Sequence, residues 1–181
     1  IMVSDADEIP NLENLDLKKI KNKLIIFQQK MFYYKLNLYL DSFIWCGSKA
    51  CRKKNLISPQ WLRNVKDRNY PFWRIDSLFS KNKYQNIYFV NDGGWHFSNI
   101  KKAKEIKEKL KSYLHHREFD EEPLSVEEID KIIKEKKTIY DLKVDKSVSK
   151  FNKGQKLTTT GLKLLPNYIQ NNVEKFKLWL D

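Results

Sequence analysis

Four apolar stretches of the chain have the length and composition of β-strands. They are residues 1–4, 24–27, 31–40 and 86–90. Aromatic and aliphatic residues dominate the third stretch, and such residues favour strands that pack against a neighbour. Because side chains alternate between the two faces of a strand, five residues of this stretch are predicted to share one face. These five residues are Phe32, Tyr34, Leu36, Leu38 and Leu40.

Apolar residues at helical spacing, combined with capping signals, predict five helices. The helices are expected to begin near Asn11, Ser58, Ile100, Ser125 and Pro166. Ser58 precedes a proline, and Ser125 has a glutamate three residues later; both are typical helix starts. The first helix is predicted to run to about residue 23, and residues 143–160 to form a loop or hairpin. Strands alternating with helices indicate an α/β fold, or an α+β fold with a mixed sheet.

The size and composition of the chain fit one folded domain or a large part of one. It has 181 residues, of which 41% are hydrophobic, enough to bury a sizeable core. The sequence has no apolar run of roughly 18 residues, so it predicts no transmembrane helix, and residues 1–10 do not resemble a signal peptide. Two cysteines, Cys46 and Cys51, are too few for a disulfide scaffold, so we expect a reducing compartment.

Lysine provides most of the positive charge. The chain has 35 Lys and Arg residues against 23 Asp and Glu, a net charge of +12, and only five of the cations are arginine. Arginine is better suited to nucleic acid, because its planar group forms paired hydrogen bonds with phosphates and guanine. The lysines alternate with glutamates, as in residues 101–111, which is typical of a solvated helix face. We therefore expect no nucleic-acid partner.

Two carboxylates, Asp5 and Asp7, follow the first predicted strand at alternate positions. Where a strand ends in a turn, both can face one divalent ion, and Mg²⁺ and Mn²⁺ prefer carboxylate and phosphate oxygens. A single pair of this kind is common, but the preceding strand and the following residues Glu8, Ile9 and Pro10 make it more specific. The alternative is an acidic turn before a helix, with Glu8 near the helix N-terminus.

A second candidate segment begins at Asp92 and continues through Gly93, Gly94, Trp95 and His96. Paired glycines permit backbone conformations with positive φ and a close approach to a ligand. A neighbouring tryptophan and histidine are able to stack on a sugar ring and to donate hydrogen bonds. The alternative is a tight hairpin with a tryptophan in the core.

A third candidate segment, residues 115–119, combines an imidazole, a guanidinium and a carboxylate. Its histidines are equally consistent with surface residues at a helix end. Other catalytic motifs are absent from the sequence: there is no glycine-rich phosphate loop, no pair of cysteine motifs at zinc spacing and no serine in a nucleophile elbow.

Taken together, these segments resemble glycosyltransferase family 17, the family of the β-1,4-mannosyl-glycoprotein β-1,4-N-acetylglucosaminyltransferase. The matching motifs are VSDADEIP at 3–10, FYYKLN at 32–37, GGWHFS at 93–98, and KSY at 111–113 with HREF at 116–119. They occur in the family's order and cover roughly residues 1–141. An extra residue before His116 leaves the choice between His115 and His116 open.

The resemblance implies a GT-A-like mixed sheet flanked by helices, a UDP-N-acetylglucosamine donor and an Mn²⁺ or Mg²⁺ ion on its diphosphate. This ion would stabilise the charge of the leaving diphosphate, and its implied ligands are Asp5, Asp7 and His116. An inverting transfer also needs a general base, for which Asp92 is the first candidate and Glu118 the second. The residues implied to bind the donor or its sugar are Asp5, Glu8, Gly93, Gly94, Trp95 and His96.

The resemblance also leads to expectations about the extent and location of the protein. Because the motif begins at Asp5, we expect residues 1–141 to be a partial catalytic region without its N-terminal nucleotide-binding half, and residues 142–181 to form a C-terminal loop and helix. The first strand would then lack sheet neighbours, and residues 1–181 alone would transfer no sugar. The expected location is the cytoplasm, or the Golgi lumen if a preceding segment carries a membrane anchor.

The expected partners are a nucleotide-sugar donor and a glycan acceptor, and the sequence leaves the oligomeric state open. Two other functions also remain open at this point. One is a non-catalytic module that binds a sugar or nucleotide through the same acidic turn. The other, with weaker support, is a basic nucleic-acid-binding domain, whose binding to any duplex would depend steeply on salt.

Overall fold

The computed structural model describes residues 1–13, 15–112, 123–139 and 154–181. The strands in this part are β1 (Met2–Val3), β2 (Glu8–Pro10), β3 (Leu24–Phe27), β4 (Gln29–Tyr33), β5 (Leu38–Trp45), β6 (Lys49–Cys51), β7 (Ile87–Val90), β8 (Gly94–Ser98) and β9 (Thr158–Thr159). The α-helices are α1 (Pro59–Asn64), α2 (Ile75–Leu78), α3 (Ala103–Ser112), α4 (Val126–Lys134), α5 (Asn167–Gln170) and α6 (Val173–Phe176). Short 3₁₀ helices lie at Lys53–Asn55, Leu162–Leu164 and Lys177–Trp179. Among the described residues, no helix has the length and apolar character needed to cross a membrane.

The strands form two sheets. The four-stranded sheet has the order β1-β6-β3-β7, in which β3 runs parallel to β7 and antiparallel to β6. The five-stranded sheet has the order β2-β8-β4-β5-β9, with antiparallel pairing at both of its ends. Mixed sheets accompanied by helices confirm the α/β fold that the sequence predicted.

The chain forms two compact units that alternate along the sequence. The first unit contains Ile1–Met31 and Phe43–His96, and the second contains Phe32–Ser42 and Phe97–Asp181. Strands β4, β5 and β8 contribute residues to both units. The candidate site residues that the structure describes all belong to the first unit.

Both faces of strand β3 are buried, so this strand lies at the centre of the first unit. Leu24 and Ile26 belong to an apolar cluster that includes residues of helix α1. Ile25 and Phe27 belong to a second cluster, which includes Ile20. A continuous apolar run is typical of a strand covered on both faces. Each such side chain stabilises the fold by about 1.5–3 kcal/mol on full burial.

Aromatic and aliphatic side chains form the interior of the second unit. The ring of Phe32, in β4, stacks on that of Phe97, in β8, with 5.3 Å between their centroids. Helix α3 packs against α4, and Ile106 of α3 and Ile129 of α4 are completely buried. The spacing of apolar residues predicted both helices correctly.

Capping signals also located helix starts correctly. The hydroxyl of Ser58 accepts a hydrogen bond from the Trp61 backbone N–H at the start of α1. At the start of α4, Ser125 and Glu128 form both hydrogen bonds of a capping box. Strands β1, β3 and β7 likewise occur within the predicted stretches.

The predicted helix from Asn11 to about residue 23 is wrong. The described residues of this segment form turns and irregular backbone instead. The Asn11 side chain accepts from the Glu13 N–H, and the Asp16 side chain accepts from the Lys18 N–H, both at 3.0 Å. Such local side-chain bonds compete with helical hydrogen bonds, so the turns replace the helix.

The single strand predicted over residues 31–40 is also wrong, because the chain turns within it. Strand β4 ends at Tyr33 and β5 begins at Leu38. Between them Tyr34 has a φ of 60°, which is uncommon for a bulky residue. The turn contains no glycine or proline, and its polar residues, Lys35 and Asn37, are a weak signal between two apolar runs. The five side chains therefore do not share one strand face.

The C-terminal helix predicted after Pro166 is interrupted. Helices α5 and α6 and a 3₁₀ turn follow one another in its place. Asn172, between the two helices, has φ −132° and ψ 40°, outside the helical region, and its side chain donates to the Tyr168 carbonyl. Asparagine favours such local bonds over a continuous helix.

The first strand, which was expected to lack its usual sheet neighbours, has one neighbour and forms the edge of its sheet. Met2 and Val3 pair antiparallel with Ala50 and Lys49 of β6. The amino group of Ile1 donates to the Cys51 carbonyl at 2.8 Å, which extends this pairing. The sequence did not predict β6, a strand of only three residues, and therefore could not supply the partner.

Candidate active site

The acidic segment forms a tight turn between β1 and β2. The Glu8 backbone N–H donates to the Asp5 carbonyl at 3.1 Å, which closes the turn. Asp5 and Asp7 lie within the turn and are partly exposed, whereas Glu8 begins β2 and is buried. The three carboxylates of the motif therefore have different environments.

Glu8 is the centre of a buried hydrogen-bond network. One carboxylate oxygen, Oε1, accepts from the Trp45 indole N–H at 2.6 Å. The other, Oε2, accepts from the Asp5 backbone N–H at 3.1 Å and from the hydroxyls of Ser4 and Ser48 at 3.2 and 2.7 Å. These bonds join β2, the acidic turn and the chain after β5. Glu8 thus holds the shape of the turn, and its oxygens are already engaged within the protein.

Asp7 lies beside a buried histidine. Its Oδ2 atom is 3.4 Å from Nε2 of His96, whose ring is almost completely buried. The indole of Trp45 stacks on this ring at a centroid distance of 4.5 Å and an angle of 22°. Trp45 therefore contacts both Glu8 and His96, and it holds the imidazole where it faces Asp7.

Asp5 instead faces a cavity whose lining contains three cations and three carboxylates. The carboxylate forms a two-point ion pair with Arg63 at the end of α1, and this pairing raises the pKa of the guanidinium. The cavity has a volume of about 510 Å³ and is also lined by Lys49, Lys66 and Asp67. All of these residues belong to the first unit. The cavity is open to solvent, and its lining suits a polar ligand.

The buried amine of Lys49 has a structural role at this cavity. It donates hydrogen bonds to the carbonyls of Arg63 and Val65, at the C-terminal end of α1. Cations at this end of a helix satisfy carbonyls that lack a helical partner. Burial lowers the pKa of Lys49, while the nearby carboxylates of Asp67 and Glu8 act in the opposite direction.

The glycines at 93 and 94 approach the protein's own backbone. Gly94 has a φ of 132°, and a side-chain carbon there would lie 2.1 Å from the Ile9 carbonyl oxygen. A carbon on Gly93 would lie 2.6 Å from the Val90 carbonyl oxygen. These contacts allow the chain to pass from β7 in one sheet to β8 in the other. They account for both glycines without a ligand, and because β7 and β8 belong to different sheets the turn is not a hairpin.

Asp92 lies far from Asp7 along the strands. In the β2–β8 pairing, Glu8 is opposite His96 and Pro10 is opposite Gly94. Asp7 and Asp92 therefore lie beyond opposite ends of this ladder. The Asp92 side chain is 81% exposed and forms an ion pair with Lys30.

Trp95 is half-buried and pairs with Ile9 across the same ladder. Its carbonyl accepts a hydrogen bond from the buried side chain of Gln29 at 3.4 Å. Three further candidates, His115, His116 and Glu118, lie outside the described residues.

Several residues that shape the site had no signal in the sequence. Trp45 and Ser48 bind Glu8 across 37 and 40 residues, and Arg63 binds Asp5 across 58 residues. None of these three pairings follows from a short motif. Only the folded arrangement of the acidic turn, β2, the end of β5 and α1 brings them together.

The donor set allows a test of whether a divalent cation fits. No group of three or more potential ligands among His, Cys, Asp and Glu is present in the described part of the chain. Asp7 nevertheless offers a partly exposed carboxylate, the type of oxygen that Mg²⁺ and Mn²⁺ prefer. These ions need only one or two protein carboxylates when substrate phosphates and water complete their coordination. The residues therefore fit a cation that binds together with a diphosphate; Asp5 would contribute only by leaving Arg63.

Comparison with known proteins gives one match. A family model for glycosyltransferase family 17 matches residues 1–181. The match continues beyond residue 141, where the motifs recognised in the sequence end. Neither the curated proteins nor the solved structures include a match.

Proposed function

This chain belongs to glycosyltransferase family 17, and from that premise we propose that it transfers a sugar from a nucleotide-sugar donor to a glycan acceptor with inversion and with the help of a divalent cation. Glycosyl transfer is the activity of the family. The proposal adds UDP-N-acetylglucosamine as the donor and Mn²⁺ or Mg²⁺ as the cation. The observation that carries it is the acidic turn beside a cavity that Arg63 and Lys66 help to line.

The cavity has the size that a nucleoside diphosphate requires, and two of its cations suit phosphate oxygens. Its volume of about 510 Å³ falls in the usual range of small-molecule sites, about 300–1,000 Å³. Arg63 and Lys66 line it, and a guanidinium binds phosphate oxygens through paired hydrogen bonds. Arg63 is currently paired with Asp5, so a bound diphosphate would compete with this carboxylate.

Asp7 is the proposed protein ligand of the cation. When bound, the cation would neutralise charge that develops on the leaving diphosphate. The buried imidazole of His96, 3.4 Å away, restricts where the Asp7 carboxylate lies. Glu8 holds the same turn from the other side through the Asp5 N–H. We therefore assign Asp7 to binding, and Glu8 and His96 to positioning.

The general base is proposed from the two carboxylates that the sequence indicated. Asp92 is exposed, ion-paired with Lys30 and separated from Asp7 by the length of the β2–β8 ladder. Catalytic bases are usually held within hydrogen-bond reach of the proton they remove. These features favour Glu118 over Asp92 as the base.

Titration of donor and metal into variants tests the proposal. Asp7→Asn keeps the shape of the side chain but removes its charge, so Mn²⁺-dependent binding of UDP should weaken at least about tenfold. The matched control is Asp16→Asn, which changes a carboxylate in another turn of the first unit. Calorimetric titration on the full reading frame, with and without EDTA, gives both affinities.

Equal affinity of the Asp7→Asn variant and the unchanged protein would remove Asp7 from the site. Binding of UDP with no dependence on metal would remove the cation. Tight binding of the donor without any release of UDP over a panel of acceptors would instead favour the non-catalytic binding module.

A further inference from the structure

One segment of the first unit exposes an unusual number of large apolar side chains. We define the aromatic loop as residues 68–83, which include helix α2. Phe72, Trp73, Ile75 and Phe79 in this loop are 77%, 67%, 68% and 86% exposed. Clusters of exposed apolar residues on a folded protein usually mark a surface that contacts something else.

The base of the aromatic loop is held in place by hydrogen bonds. The Lys66 N–H donates to the Asn82 carbonyl at 2.8 Å, and the Tyr70 N–H donates to the Tyr84 carbonyl at 2.9 Å. The ring of Tyr70 is buried between them. The loop therefore has a fixed stem, and its apolar residues project from a defined position.

Cations surround this stem. Arg68, Arg74 and Lys83 each lie within 6 Å of the Tyr70 ring centre, at 5.0, 5.8 and 5.5 Å. Residues 66–83 contain five Lys and Arg residues and two Asp residues, a net charge of 5 − 2 = +3. One of the two, Asp76, is bound by Arg74 and Lys83. The apolar tip thus has a positively charged rim.

We propose that the aromatic loop docks the protein on the surface of an anionic lipid bilayer. Aromatic side chains, tryptophan above all, favour the interface between headgroups and acyl chains, where Phe72, Trp73, Ile75 and Phe79 would insert. The cations behind them would contact anionic headgroups, since each basic residue near such a surface adds to the attraction. Neither the insertion of the apolar side chains nor the attraction of the cations to headgroups depends on the donor site.

Other occupants fit the loop less well. A sugar binds one aromatic face with polar groups beside it, but this cluster includes an isoleucine, and the neighbouring carboxylate of Asp76 is engaged by Arg74 and Lys83. A second copy of the chain carries the same charge of +12 and the same cationic rim, so the two rims would repel each other. An anionic bilayer complements both the apolar tip and the rim.

The loop is also connected to the proposed donor cavity. Lys66, Asp67 and Asn82, which flank the stem, line that cavity. Docking through the loop would therefore bring the cavity close to the bilayer surface. An acceptor presented at a membrane would be within reach of such a site.

Sedimentation with vesicles tests the docking directly. The full chain should bind vesicles containing about a third phosphatidylglycerol, bind pure phosphatidylcholine much more weakly, and lose affinity as salt rises. The double variant Trp73→Ser with Phe79→Ser should bind anionic vesicles at least about tenfold more weakly, because two inserting side chains are removed. The matched control, Ile57→Ser with Leu178→Ser, changes two residues of similar exposure elsewhere and should bind normally.

A second readout follows the insertion itself. Brominated lipids should quench tryptophan fluorescence of the unchanged protein, and Trp73→Phe should abolish most of this quenching. Thermal unfolding of each variant verifies that the fold is retained.

Three results would overturn the proposal. The first is an unchanged protein that does not bind anionic vesicles, and the second is an equal loss of binding in the control variant. The third is a concentration-dependent dimer, seen by analytical ultracentrifugation, that the Trp73→Ser, Phe79→Ser variant abolishes while vesicle binding is absent. That last result would assign the loop to contact between copies of the chain.

Discussion

The variant Glu8→Gln offers the sharpest test of how the acidic turn is built. Glutamine keeps the size of the side chain but replaces one carboxylate oxygen with an NH₂ group. If this group takes the position of Oε1, it faces the Trp45 indole N–H, which now lies at 2.6 Å. If it takes the position of Oε2, it faces the Asp5 backbone N–H at 3.1 Å. Either orientation brings two donors together, whereas the hydroxyls of Ser4 and Ser48 are able to rotate.

The expected loss of stability follows from these contacts. A buried donor without a partner costs about 1–3 kcal/mol, and a hydrogen bond to a charged group contributes about 1.5–3 kcal/mol. We expect Glu8→Gln to lower the free energy of unfolding by about 2–4 kcal/mol. For a chain of this length, about 3 kcal/mol corresponds to a decrease in Tm of roughly 6–12 °C.

Urea and thermal unfolding, followed by circular dichroism, measure this loss. Glu108→Gln is the matched control, since Glu108 is exposed on helix α3 and its change should stay within about 0.5 kcal/mol. The variant should also bind UDP and Mn²⁺ more weakly, because the turn carrying Asp7 loses its anchor. A loss of stability below about 1 kcal/mol, less than the cost of one buried donor without a partner, would refute the role of Glu8 in holding the turn.

Three further predictions concern neighbouring positions. Gly94→Ala should destabilise the fold by about 3 kcal/mol or more in urea unfolding, because φ is 132° and the Ile9 carbonyl occupies the space that the new methyl group would need. The control Gly161→Ala, which has no atom within 4 Å of the new methyl group, should be nearly neutral. Equal effects of the two substitutions would contradict this prediction. Burial raises the pKa of Cys46 to about 11. The rate at which Cys46 is alkylated in the folded protein, followed by mass spectrometry, should therefore keep rising up to about pH 11. A rate that levels off at a pH of about 8.5, the pKa of an ordinary thiol, would contradict this prediction. Asp92→Asn should retain turnover within about tenfold in a UDP-release assay, and a decrease of about 10²–10⁴ would identify Asp92 as the base after all.

The sequence was sufficient to predict an element where its structural signal is contained in a few consecutive residues. Helices α1 and α4 begin where Ser58 and Ser125 cap them, and strand β7 forms within one apolar run. It failed where local and long-range preferences differ. Tyr34 reverses the chain inside an apolar run, and β6 is a strand only because β1 and β3 lie on either side of it. Strand conformation depends on such neighbours more than on the residues themselves.

In the candidate site, too, the local motif could be predicted from the sequence and the long-range contacts could not. Asp5, Asp7 and Glu8 lie within four positions of the sequence and form a motif that is recognisable from the residues alone. Their different environments could not be predicted, because these depend on Trp45 and Arg63, which are distant in the chain. Glu8 was expected to bind the donor, yet its carboxylate accepts four hydrogen bonds within the protein.

Release of UDP from UDP-N-acetylglucosamine is the measurement that tests the proposed activity most directly. The full reading frame would be incubated with this donor and a panel of glycan acceptors, with Mn²⁺ or with EDTA, and free UDP would be quantified. We expect acceptor-dependent release of UDP in Mn²⁺ that EDTA abolishes and Asp7→Asn strongly reduces. Release that is equally fast in EDTA, or that Asp7→Asn leaves unchanged, would contradict a metal-assisted transfer at the acidic turn.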